Sequence, residues 1–172
     1  MQESLFDMLE RMESMVPDYG YATIERMTQT DRKIREFMLE EMRGVKDSMF
    51  HVVQVSYELQ RDRLSDAAED VWDEVSSLMT RVQSTRICQL KDKKACEACR
   101  DKVEENLYDI IRKDRQLVLA VLELKRNAGI LYRALLNKGR EKYFIKNLDR
   151  IKNCIEQVNS LLEERDATIR GA

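Results

Sequence analysis

Three cysteines, Cys88, Cys96 and Cys99, form a C-x7-C-x2-C set around the polar stretch Gln89 to Lys94. Cys96 and Cys99 stand one helical turn apart, and a reversal of the chain near residue 92 brings Cys88 opposite them. Grouped thiolates suit zinc, which takes four ligands. One chain supplies only three here. Cys154 faces about residue 122, about 35 Å from Cys99 at roughly 1.5 Å per residue, and the single histidine, His51, is similarly distant. A fourth ligand would have to be a carboxylate such as Glu97, a water, or a group from a second chain. A redox thiol pair is an alternative reading, and small buried packing residues are a third. All of them put Cys88 near Cys96 or Cys99 and leave Cys154 apart.

A second set is basic. Lys125, Arg126, Arg133, Lys138, Arg140, Lys142, Lys146, Arg150 and Lys152 gather in a short span, with Tyr132, Tyr143 and Phe144 among them and only Glu141 and Asp149 against them. Cations interleaved with aromatics suit phosphate backbones and stacked bases. The competing reading is internal pairing with Glu36, Glu40, Glu41, Asp47 and Glu58. Third, Asp66, Glu69, Asp70, Asp73 and Glu74 repeat at spacings of three and four, so their carboxylates share a helix face. Such a row could hold a hard cation, but it more simply forms a solvated face. Bundle di-metal centres need Glu-x-x-His pairs, which one histidine cannot supply. There is no Gly-rich phosphate loop and no Ser/His/Asp arrangement, so no catalytic residue is assigned.

The elements that would carry these groups are helices. The 172 residues include 5 Gly and a single Pro, Pro17, with 36% charged and 43% hydrophobic residues. This composition excludes a turn-rich β fold and predicts long helices around a real core. No apolar run exceeds Leu117 to Leu122, so no membrane insertion is expected. Glu3 and Asp7 argue against a secretory signal. Four cysteines in that setting point to a reducing, cytoplasmic location. Residues 1–80 hold 9 Lys/Arg against 18 Asp/Glu, a net of −9, and residues 112–152 hold 12 against 4, a net of +8. Such asymmetry serves either an external partner or pairing between the halves.

Leu5, Met8, Leu9, Met12 and Met15 recur at helical spacing over 3–16, with Phe6 widening the face, before Pro17-Asp18-Tyr19-Gly20 breaks the pattern. A long helical stretch follows from about Ala22 to Cys88. Its first seam is Ile34, Met38, Met42, Val45, Met49, Val52, Ser56 and Leu59. Its second is Leu64, Ala68, Val71, Val75, Leu78 and Val82. The five-residue step between them predicts a kink or a change of partner near 60–64, with a second possible site at Gly44. From Val103 to Leu135 apolar residues alternate steps of four and three, a heptad seam with one polar member, Asp114. Beside it run Ile111, Val118, Leu122, Tyr132 and Leu136. After Asn137-Lys138-Gly139, Phe144, Leu148, Ile151, Ile155, Val158 and Leu162 form the last seam, antiparallel to the one before.

These seams predict an all-α, long-helix antiparallel bundle of three to four helices with coiled-coil-like heptad packing and a short N-terminal amphipathic helix. Reversals at 92 and 138 leave 22–46 overhanging, which divides the chain into a partner element, 1–46, and a bundle, 47–172. The leading functional expectation is a non-enzymatic helical interaction or scaffold protein that self-associates, with Leu5, Phe6, Met8, Leu9 and Met12 meeting a protein partner or a second copy. The alternative is a nucleic-acid- or anion-binding protein acting through Lys125, Arg126, Arg133, Lys138, Arg140, Lys142, Lys146 and Arg150. A further alternative is a redox or zinc module at Cys88, Cys96 and Cys99.

Overall fold

The structure, a computed structural model, describes residues 5–20, 24–84, 93–137 and 141–170. Five helices account for nearly all of them: α1 (Leu5–Met15), α2 (Ile24–Glu58), α3 (Asp62–Ser84), α4 (Lys93–Leu136) and α5 (Glu141–Arg170). Among the described residues there is no strand, and no helix is long and apolar enough to cross a membrane.

The long helical stretch is two helices, not one kinked helix. The seam slip between Leu59 and Leu64 is a full reversal, and α2 packs along α3. The backbone bonds explain how. Arg61 N–H donates to the Ser56 carbonyl at 2.9 Å and Gln60 N–H to that of Tyr57 at 3.0 Å. These are the two closing bonds of a Schellman cap. Gln60 takes the left-handed position with φ 54°. The Arg61 carbonyl then accepts from Leu64 and Ser65, both at 3.0 Å, starting α3, with Asp62 in its first turn where a negative charge favours the helix dipole.

Gly44 does not bend α2, which is helical on both sides of it. The interruption lies in α4 instead, at Asn106 with φ −113° and ψ 15°. Nothing in the apolar spacing announced it.

The overhang is therefore absent. Residue 46 falls inside α2, and Ile34, Met38, Met42 and Val45 are fully buried in the same core as Leu64, Val71, Leu117 and Leu131. The reversal at 59–61 supplies a fourth long helix, so this stretch buries its seam within its own chain. Met8 and Met12, expected to meet a partner, are buried in that core as well, with Leu9 partly so. The side chains of Leu5 and Phe6 lie outside the described residues.

Side-chain contacts give the helix directions. Arg35 reaches the Val82 carbonyl and Lys46 lies over Trp72, so α2 and α3 are antiparallel. Lys113 meets Thr168 and Asn127 meets Cys154, so α4 and α5 are too. Glu41 pairs with Lys125 and His51 stacks on Tyr132, so α2 and α4 run parallel. Asp70 and Glu74 meet Lys152 and Arg81 meets Asn159, so α3 and α5 also run parallel. Two antiparallel hairpins thus lie side by side, with α2 diagonal to α5 and α3 diagonal to α4. The second stripe on α4 follows from this layout. Ile111 and Val118 are buried, and α1 lies along the same helix.

Gly129 on α4 has nothing within 4 Å of where a Cβ would stand. Gly129→Ala should therefore raise unfolding stability by about 0.5–1 kcal/mol, through helix propensity and a less flexible unfolded chain. Chemical denaturation measures it, and a loss of stability would contradict the helical geometry at that position.

Candidate functional site: a buried charge cluster and a basic, apolar bundle end

The densest group of ionisable side chains lies where α2 begins and α5 ends. Arg165 is fully buried at 0% exposure. Its Nε donates to Asp114 and its Nη1 to Asp31 at 2.8 Å, with Asp166 at 3.5 Å. Arg35 joins Asp31 through Nε, at 3.1 and 3.0 Å, reaches Asp166 at 3.2 Å, and donates to the Val82 carbonyl at 3.3 Å. Tyr19 donates its hydroxyl to Asp114 Oδ2 at 2.7 Å. Thr30 closes the α1–α2 connection by accepting from Gly20 N–H at 3.0 Å and donating to the Gly20 carbonyl. All four long helices and the α1–α2 connection meet in this cluster.

The cluster is placed by the seams themselves. Asp31 precedes Ile34 by three residues, and Arg165 follows Leu162 by three. Asp114 is the polar member of the α4 heptad. Three charged residues thus hold core positions on three helices at one level, where burial forces them onto one another. Only Asp114 stood out in the sequence. The other two become visible when each seam is extended by one step, since Ile169 continues the last one. Every carboxylate here is held by a guanidinium. The arrangement ties elements together, and it presents no nucleophile paired with a base.

The opposite end of the bundle differs in kind. Seven large hydrophobic side chains are exposed among the described residues, and six, Phe50, Tyr57, Leu59, Ile130, Leu136 and Tyr143, belong to this end. They lie within about 12 Å of where α2 and α4 stop, at roughly 1.5 Å per residue. Tyr57 is 76% exposed and Leu136 53%. His51 and Tyr132 stack at 5.4 Å between ring centroids. Arg61 lies over the buried Phe144 ring at 5.5 Å, joining the α2–α3 turn to α5.

The basic set divides here. Lys125 is tied to Glu41 at 2.8 Å, Arg126 to Glu123 at 3.5 Å, and Lys152 to Asp70 and Glu74 at 3.5 and 3.3 Å. Burial works to lower the Lys152 pKa, but Glu74 and Asp70 together outweigh it and raise it. Arg133 donates Nε to the Gly129 carbonyl of its own helix. Arg133, Lys146 and Arg150 are exposed and have no carboxylate partner among the described residues. Exposed Arg126, Ile130 and Arg133 recur at i, i+4 and i+7 on α4, and Tyr143, Lys146 and Arg150 at i, i+3 and i+7 on α5. Asn127 opposite Cys154 offsets the two stripes along the hairpin, so that Arg133 comes near the level of Arg150 while Lys146 and Tyr143 lie closer to its tip. The side chains of Lys138, Arg140 and Lys142 lie outside the described residues. Of the acids expected to neutralise this tip, Glu41 does so. Glu36 and Glu40 pair instead with Arg32 and Arg43.

The side chains of Cys88, Cys96 and Cys99 also lie outside the described residues. Cys154 is free and faces Asn127 at 3.4 Å, five residues beyond the expected neighbour. Burial pushes its thiol pKa up, against the Asn127 hydrogen bond, so it stays protonated at neutral pH. Asp66, Glu69, Asp70 and Asp73 are exposed. Among the described residues no three His, Cys, Asp or Glu side chains are grouped to hold a metal ion. The chain matches no protein-family model, no curated protein and no solved structure.

Proposed function

We propose that this chain is a non-enzymatic helical interaction protein that self-associates and docks an anionic partner on the end formed by the α2–α3 turn and the α4–α5 hairpin. The observation that supports docking is the gathering at that end of six of the seven large apolar side chains exposed among the described residues, beside Arg133, Lys146 and Arg150, which have no carboxylate partner among those residues. Apolar surface supplies the contact energy, and the cations select negative charge. Coiled-coil-like interlocking of the α4 and α5 seams, which keeps this end rigid, is part of the reading. So is a reducing, cytoplasmic setting, which suits the free Cys154.

An acidic amphipathic protein segment is the leading partner, because Leu59, Ile130 and Leu136 are aliphatic and offer no stacking face. Single-stranded nucleic acid is the second reading, favoured by the exposed rings of Tyr57 and Tyr143 near the same cations. Fluorescence anisotropy with a labelled Glu-rich amphipathic peptide and a labelled single-stranded RNA separates them. At least one probe should bind at low salt. With three phosphate contacts the RNA should lose roughly 15–20-fold in affinity between 50 and 200 mM salt. The combined Arg133→Glu, Lys146→Glu and Arg150→Glu variant should bind neither probe. Tighter binding of RNA than of peptide would select the nucleic-acid reading, and binding of neither at low salt would contradict the docking proposal.

A further inference from the structure

Helices α2 and α4 touch along one edge at two levels. Lys125 pairs with Glu41, and two turns further along α4 Tyr132 stacks on His51. Gly129 lies between them, four residues after Lys125 and three before Tyr132, so it belongs to the same edge. The matching position on α2 is Gly44. The two glycines differ. A Cβ at Gly44 would come within 3.3 Å of Lys125 Cε, so the Lys125 side chain already lies across it. At Gly129 nothing among the described residues comes within 4 Å of a Cβ, although the residue is half-buried. Gly129 is thus the floor of a notch, and the His51–Tyr132 stack is its wall toward the bundle end.

The helix itself gains nothing from a glycine at this place. Glycine is a poor residue for a helix interior, and an alanine would fit. Glycine serves where a ligand must approach the backbone closely, and a broken local rule with no gain inside the fold points to a functional position. Arg133 adds charge beside the notch. Its Nε donates to the Gly129 carbonyl at 3.2 Å, which holds the guanidinium at the rim. The terminal nitrogens of this exposed side chain make no hydrogen bond among the described residues, so they can take a carboxylate as a fork. Leu136, 53% exposed, continues the edge one turn past Tyr132.

We infer that the notch at Gly129 seats the partner, and that the partner is an acidic amphipathic helix of another protein. It lies along the α2–α4 edge with a large apolar side chain over Gly129, a second on Leu136, and a carboxylate on Arg133. Apolar anchors one and two turns apart beside a charged rim are how a helix is held in a groove. A nucleic-acid strand could use Arg133 but has no aliphatic side chain to place over Gly129. This inference rests on the docking reading and names the position that decides affinity there.

The test is fluorescence anisotropy of the full chain with the labelled Glu-rich peptide at low salt, with urea denaturation of each variant alongside. Gly129→Gln fills the notch with an uncharged side chain that suits a helix. It should unfold at no lower urea concentration than the unaltered chain and bind the peptide about ten-fold or more weakly. Gly129→Ala should be the more stable form and lose about two- to five-fold in affinity. Leu119→Gln, at an exposed position on the same helix outside this end, should bind as before. Unchanged affinity in Gly129→Gln, with the triple Arg133, Lys146 and Arg150 variant still unable to bind, would overturn the notch and leave docking standing. A Gly129→Gln chain that unfolds more easily would also overturn it, because the position would then not be open. No peptide binding by the unaltered chain would overturn the notch. Docking would survive that result if the single-stranded RNA binds, and would fall with it if neither probe does.

Discussion

Replacing Arg165 by Met should cost about 3–5 kcal/mol of unfolding free energy, because it takes the guanidinium from the buried Asp114 and halves the positive charge among three buried carboxylates. For a chain of this size that is a fall of roughly 6–20 °C in Tm. Arg165 is the one side chain that touches Asp31, Asp114 and Asp166 together; Arg35 still holds Asp31 and Asp166 when it is lost, so the cost falls mainly on the fully buried Asp114. Apolar volume from Met fills the space but does nothing for the acids. Urea denaturation of the variant measures the effect. The double variant Asp114→Asn with Arg165→Met should cost clearly less than the sum of the single changes, since one change removes the charge that the other orphans. A loss below about 1 kcal/mol for Arg165→Met would mean that water reaches the cluster and screens it.

Phe144→Ala should cost about 3–5 kcal/mol as well, for a different reason. The ring is fully buried at the first turn of α5 that the core uses, and Arg61 from the α2–α3 turn lies over it. Removing it opens a cavity between the two hairpins at the end proposed to bind a partner. Arg61→Ala alone should cost only about 0.5–1 kcal/mol, the worth of a partly exposed cation over a ring. Calorimetry separates the two. Equal losses would show that the cation, and not the packed ring, joins the hairpins there.

The seams carried most of the fold in advance. The steps of four and three through Ile110, Leu117, Val121, Leu124, Ala128, Leu131 and Leu135 mark residues that are all buried, because a helix face repeats at that spacing whatever it packs against. The reversal at 59–61 was not legible. It contains neither Gly nor Pro, and Gln60 occupies the left-handed position that Gly usually signals. A five-residue slip then reads equally as a kink. That single ambiguity produced the overhang and, through it, the division at residue 46. The charge cluster was half legible. Asp31 and Arg165 sit on the seams one step past the last apolar residue used, where a change from apolar to charged reads as the end of the core. The exposed bundle end could not be read at all, because spacing shows which residues share a face and not which faces stay uncovered.

The docking claim is tested most directly by amide NMR on the isotope-labelled full chain, titrated at low salt with the Glu-rich peptide and with the single-stranded RNA. Shifts should move in 50–63, 130–137 and 143–150, and should reverse when salt is raised. Amides around Asp31, Asp114 and Arg165, at the far end of the bundle, should stay in place. Shifts that centre on that far end, or none with either probe, would contradict a partner surface at the α2–α3 turn and the α4–α5 hairpin.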